Sequence, residues 1–131
     1  KDLKNKKKRH QKIYKKYQNF FKKKKIIGFP LQRTNESEYN DMNSQFSILL
    51  NKRKKFIKYC KKYKIHYKIY YSKPLYKQFS LNYKKKLNVT ESICKKIISL
   101  PFNDISNQRF NIVIKKLKKI INSDKDIFFE A

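Results

Sequence analysis

"NKRKKFIKYCKKYKIHYKIYYSKPLYKQ", residues 51–78, changes its hydrophobic period midway. Across 51–64, Phe56, Tyr59, Cys60 and Tyr63 recur three and four apart, which predicts one face of a helix. Across 65–71 the period drops to two. Ile65, Tyr67, Ile69 and Tyr71 are expected to face a core, with His66, Lys68 and Tyr70 outward, as in a half-buried strand. Pro74 then stiffens a turn that carries Tyr70, Tyr71 and Tyr76 within seven positions.

Similar periods run outward from this stretch. Residues 1–22 read as a helix with Ile13, Tyr14, Tyr17, Phe20 and Phe21 on one face. The chain opens with neither a start Met nor a capping cluster, as though it continued something longer. Residues 26–44 begin apolar and become a polar loop with three of the nine acids. "QFSILL", 45–50, alternates Phe46, Ile48 and Leu50 as a strand. A loop is expected over 79–87. A helix follows over 88–100, with Val89, Ile93 and Ile97 spaced by four and an Asn88–Glu91 capping box. Its last residues, 97–100, are suited to leave it as a short strand before Pro101. Ser106 is placed to cap a final helix, with Phe110, Val113, Ile114, Leu117, Ile120 and Ile121 along one stripe. The expected fold class is α+β: a small two- to three-stranded, mainly antiparallel sheet with about four helices packed on one face. The 131 residues suit a single small domain, with an α+β core over 45–131.

Composition sets the partners. Lys and Arg number 36 against 9 Asp and Glu, a net charge of +27, which points to nucleic acid or another anionic surface. Lys, Ile, Asn, Tyr and Phe make up 80 of the 131 residues, and all five have codons built only from A and T. An AT-rich genome would supply that bias without selection. Only four of the basic residues are Arg, whose forked guanidinium is the usual choice for bidentate phosphate or base recognition. The stretches "KNKKKRHQKIYKK" (4–16) and "KKYKIHYKIYY" (61–71) interleave Lys with Tyr as a phosphate-contacting, base-stacking surface would, and equally as amphipathic elements with a solvated face would.

Several chemistries lack residues. Gly28 is the only glycine, so there is no phosphate-cradling loop. Cys60 and Cys94 are 34 apart with only two histidines in the chain, so no metal spacing exists, and both thiols suit buried positions in a reducing compartment. His10 and His66 are isolated and read as surface or strand-edge residues. Asp104, Asp124 and Asp126 read as helix-terminus and tail residues, not as an acid–base pair. No apolar run approaches the length of a membrane span and no signal peptide is visible, which leads us to expect a cytoplasmic protein.

The order of these pieces resembles the DegT/DnrJ/StrS-type sugar aminotransferases. Their pattern has a helix "R-x-x-L-x-x-x-L-x-x-x-G-I", a strand ending His-Tyr-Pro, then Pro-Leu-His-x-Gln. Here Arg53 opens the helix, Ile65 closes it, Tyr70-Tyr71-Ser72 takes the place of His-Tyr-Pro, and Pro74-Leu75-Tyr76-Lys77-Gln78 takes the place of Pro-Leu-His-x-Gln. "KKKRHQKIYKKYQNFF" (6–21) is similar to the helix leaving the family's large domain, through Arg9, Ile13 and Tyr17. "NSQFSILL" (43–50) fits the strand after it, and residues 91–121 resemble the closing segment, with Leu100-Pro101 at its Leu-Pro. The departures are Tyr70 and Tyr76 for two histidines, Ser72 for a proline and Lys64 for the glycine at the helix end.

The resemblance implies the C-terminal small domain of a pyridoxal-phosphate-dependent enzyme that transfers an amino group, from a donor such as glutamate, to a nucleotide-linked keto-sugar. It implies that Tyr70, Tyr71, Lys73 and Tyr76 line the sugar-nucleotide cleft, with no catalytic, cofactor-binding or metal-binding residue in this chain. The family's Schiff-base lysine, its Asp partner and its phosphate cup belong to the large domain, through which a homodimer is also expected. The chain by itself is then expected to be inactive. Two other readings stand beside this one: a small basic RNA- or ribosome-associated protein, whose nucleic-acid binding would be non-specific, and a decaying gene fragment.

Overall fold

The stripe seen at Ile13, Tyr14, Tyr17 and Phe21 begins one turn earlier, at His10, and makes helix α1 (Asp2–Lys23) amphipathic. The structure is a computed structural model and describes residues 2–29, 44–78 and 86–131. Most of the polar loop expected within 26–44, and most of the loop expected over 79–87, lies outside the described residues.

After α1 the elements are β1 (Ile26–Ile27), β2 (Phe46–Leu49), α2 (Arg53–Tyr63), a 3-10 turn (Leu75–Lys77), α3 (Asn88–Lys96), β3 (Ile97–Leu100), α4 (Asn107–Ser123), a second 3-10 turn (Lys125–Ile127) and β4 (Phe129–Glu130). They form two antiparallel two-stranded sheets, β2 with β3 and β1 with β4. The α+β class holds, with four helices around two small sheets. The register of the first pair sets Phe46 opposite Leu100 and Ser47 opposite Ser99, whose hydroxyls meet at 2.7 Å. A bridge between Leu50 and Phe128 connects the two pairs.

The core collects around Phe46, which is wholly buried. Tyr17 stacks on it at 4.7 Å, Phe21 lies parallel at 6.0 Å, and Tyr14 meets it edge-on at 5.1 Å. The Tyr17 hydroxyl donates to the Pro101 carbonyl at 2.6 Å, fixing α1 to the end of β3. Phe110, Val113, Leu117, Ile120 and Ile121 of α4 are buried as their stripe predicts, and the Ser106 hydroxyl caps that helix by accepting from Arg109 N at 3.2 Å. Ser47 and Ser99 are buried along with Phe46 and Ile48, so both faces of the β2–β3 pair are covered and not one alone.

The strand expected over 65–71 is reduced to a single bridge, Lys68 with Ser99, bonded in both directions at 2.8 and 3.0 Å. Continuing that register would set His66 opposite Pro101, which has no N–H to give. On the other side the chain bends at Tyr70. The inward set survives for Ile65, Tyr67 and Ile69, but Tyr71 is exposed.

Other expectations fail locally. Val89 and Ile93 of α3 are 74% and 40% exposed, so their spacing marks a helix but not a core face. Leu87, not Asn88, is the N-cap of α3, and no side chain caps it. His10 is buried and not at the surface, packed edge-on against Phe102 at 5.2 Å. Both its ring nitrogens lack hydrogen-bond partners.

Two junctions explain particular residues. Arg53 donates to the carbonyls of Cys94 and Ile97 at 2.7 and 3.0 Å, tying the start of α2 to the α3–β3 join. Lys64 ends α2 in the left-handed region, at φ 54°. Ile65 N bonds Cys60 O there, and Lys64 N bonds Lys61 O, the pair of bonds that a Schellman ending makes.

Two stability measurements follow from this packing. Phe46→Ala should cost about 3–5 kcal/mol, the range for a buried aromatic that several rings enclose. Tyr17→Phe should cost about 1–3 kcal/mol, because the Pro101 carbonyl loses its donor. Equal costs for the two in denaturant titrations would contradict the central place of Phe46. Lys64→Gly should raise stability by about 0.5–1 kcal/mol, since glycine takes φ 54° without a Cβ penalty; an unchanged or lower Tm would show that Lys64 is not strained.

Candidate substrate-facing turn and basic groove

Pro74 sets the turn with φ −57° and ψ 146°, and the chain coils once through Leu75–Lys77. Its ring is buried, so the turn has a fixed root. Tyr70 and Tyr71 are 50% and 57% exposed, and Lys73 is exposed beside them. Tyr76 goes the other way. Its hydroxyl donates to Glu91 Oε1 and accepts from Leu87 N at 3.2 Å, which holds the turn against α3. The Lys77 ammonium meets the same Glu91 oxygen at 2.9 Å. Of the four residues expected to line a cleft, three point outward together and the fourth is half-buried and fastens the turn.

Glu91 is the residue that sequence reasoning misassigned. It looked like half of a capping box, yet its carboxylate serves Tyr76 and Lys77. The available signal was its isolation, as it is the sole acid between Asp41 and Asp104 in a basic chain. The hydrogen bonds from Tyr76 and then Lys77 hold its carboxyl below the ordinary value. Lys77 is raised in turn, first by its bond to Glu91. Tyr76 is raised, first by burial and then by the same carboxylate.

Beside Tyr70 a groove of about 550 Å³ opens between segment 64–70, the loop 101–105 and α4. Its apolar floor includes Ile65, Leu100, Phe102 and Val113. Its rim carries Lys64, His66, Lys68, Arg109 and Lys116 against one carboxylate, Asp104. Tyr70 belongs to both turn and groove, whereas Tyr71, Lys73 and Tyr76 do not line the groove.

The model of the DegT/DnrJ/EryC1/StrS aminotransferase family matches residues 1–122. The chain belongs to this family. No curated protein sequence matches it. Among solved structures it is similar to a DegT DnrJ EryC1 StrS aminotransferase from Brucella abortus, with TM-score 0.76 and 22% identity over 90% of this chain and 32% of that one. It is also similar to a sugar aminotransferase from Micromonospora echinospora, with TM-score 0.71 and 11% identity over 89% of this chain and 31% of that one. At these identities the likeness is one of fold. The chain spans about a third of the length of the structures it matches.

The family's pyridoxal phosphate finds no seat among the described residues. No lysine among them is buried, and the groove's one carboxylate, Asp104, is exposed in a turn with φ 52°. Nor do three His, Cys, Asp or Glu side chains gather there to hold a metal ion. Cys60 offers no nucleophile, because burial pushes its thiol up to about 12. No helix among the described residues is long and apolar enough to cross a membrane.

The Tyr76–Glu91–Lys77 fastening predicts a pH window. A lowered carboxyl pKa stabilises the folded turn above the ordinary value of 4.5 and loses that contribution as pH falls through the folded value. A raised ammonium pKa stabilises it below 10.5 and loses that contribution as pH rises through its folded value. The exchange protection of the Leu87 amide, which donates to Tyr76, should therefore be highest between these limits. It should drop below pH 4.5 and be low at every pH in Glu91→Gln. Protection that ignores both acid and the substitution would mean that the turn is held elsewhere.

Proposed function

We propose that the chain acts as the C-terminal small domain of a pyridoxal-phosphate-dependent aminotransferase that aminates a nucleotide-linked keto-sugar with an amino acid such as glutamate. The observation that carries this is the family match over residues 1–122. It includes a turn whose root is buried and whose exposed members are two rings and an ammonium. In this reading Tyr70 and Tyr71 present hydroxyls to sugar or phosphate oxygens, Lys73 offers a point charge to phosphate, and Tyr76 sets the angle of the wall through Glu91. The amino-group transfer rests on a cofactor seat outside these residues, and so does dimerisation. The 131-residue chain alone then turns over no substrate. A cytoplasmic setting accords with two buried free thiols.

The net charge of +27 and the basic groove favour a second reading, a nucleic-acid-binding protein. Lysines spread over α1, α2 and α4 would then supply phosphate contacts without base readout.

The test joins this chain to the large domain of a family member and assays amination of a uridine-diphosphate-linked keto-sugar. Tyr71→Phe should lower kcat/KM about two- to tenfold, as the loss of one hydrogen bond worth about 0.5–1.5 kcal/mol would. Its Tm should not move, because the ring is exposed. Lys12→Ala on the exposed side of α1 should change neither. Unchanged kinetics in Tyr71→Phe and in Lys73→Ala would remove the turn from the substrate wall.

A further inference from the structure

Two rows of side chains face each other across the groove. On α4, Arg109, Ile112, Val113 and Lys116 follow one another at three- and four-residue steps along one helix face. Opposite, Lys64, His66 and Lys68 occupy alternate positions of the segment bridged to β3, with the ring of Tyr67 between them and that of Tyr70 after them. None of these cations is ion-paired. Lys68 lies 5.7 Å from the centre of the Tyr70 ring, and Lys116 reaches only the Lys64 carbonyl, at 3.4 Å.

Like charges around one concavity repel more than the same charges on a convex helix face, because water screens them less well. The positive end of α4 adds to that field, since its first turn and the loop before it line the groove. The arrangement is stable only with an anion or dense counter-ions between the rows. About 550 Å³ is far more than an inorganic phosphate fills and falls in the usual range for small-molecule sites, roughly 300–1,000 Å³. The rest of the lining is aromatic and hydrogen-bonding, with Tyr67 and Tyr70 for a planar ring and Ser44, Gln45 and Asn103 for its polar edge.

We propose that this groove binds a nucleoside phosphate, with the phosphates between Lys68, Arg109 and Lys116 and the base against Tyr67 and Tyr70. The site stands on the groove's own residues and does not require the chain to take part in amino transfer.

Calorimetric titration of the 131-residue chain at 0.15 M salt tests it, with uridine diphosphate, adenosine diphosphate, uridine, inorganic phosphate and a short oligothymidylate as probes. One diphosphate should bind per chain, at least tenfold tighter than uridine or phosphate. The Lys68→Ala/Arg109→Ala double variant should weaken it at least tenfold. Lys8→Ala/Lys12→Ala, the same change of charge on exposed positions of α1, should stay within twofold. All four substituted side chains are exposed, and circular dichroism and Tm confirm that each variant is folded. Tyr70→Ala should weaken the diphosphate and leave phosphate alone unaffected. The proposal falls if both double variants weaken binding equally, if phosphate matches the diphosphates, or if the oligonucleotide binds while neither diphosphate competes.

Discussion

The stack of Tyr17 on Phe46, with the Tyr17 hydroxyl on the Pro101 carbonyl, holds the rest of the molecule together. It joins three segments: the first helix, the central strand and the end of the strand beside it. Each would separate without it. The first helix is polar over most of its surface and repels the other basic helices. Aromatic area is what offsets that repulsion, since a ring buries far more surface per residue than an aliphatic side chain of similar helical cost. Burial also raises the Tyr17 pKa above its ordinary value, so the hydroxyl remains a donor throughout the neutral and mildly alkaline range.

Helices were legible in the sequence wherever their apolar stripe met a packed surface. Phe110 to Ile121 in α4 shows this best, as period, cap and burial agree there. Val89 and Ile93 show the limit, because spacing reports which residues share a face and not whether anything covers it. The strand over 65–71 was half legible. Its alternation governs burial through Ile69, while the ladder depends on a neighbour, Pro101, far away in sequence. His10 escaped notice because a single polar residue on an apolar stripe reads as the stripe's end.

The candidate site was legible in outline and not in its wiring. Pro74 and the tyrosines around it announce a stiff aromatic turn. That Tyr76 spends its hydroxyl on Glu91 could not be read off, because the pairing crosses a stretch between two elements whose mutual position depends on the fold. The replacement of the family's histidine by tyrosine at 76 keeps a donor and moves it outward by the length of a phenol ring, which suits a carboxylate on the neighbouring helix. The groove was less visible still. Its two cationic rows lie some forty residues apart and were lost among thirty-two lysines.

The pairing of β1 with β4 joins Ile26 to Glu130, and Ala131 N bonds Lys25 O. A chain emerging from a ribosome cannot form that ladder, nor the Leu50–Phe128 bridge, until residue 130 has cleared the exit tunnel. Phe21 and Phe56, which pack against Phe128, wait uncovered for that time. Contacts this distant in sequence also slow closure after release. During that interval the lysines have a part of their own, since mutual repulsion between nascent chains keeps uncovered rings from finding each other. A sequence that looks wasteful in its charge is thereby protected at the stage when its core is still unfinished.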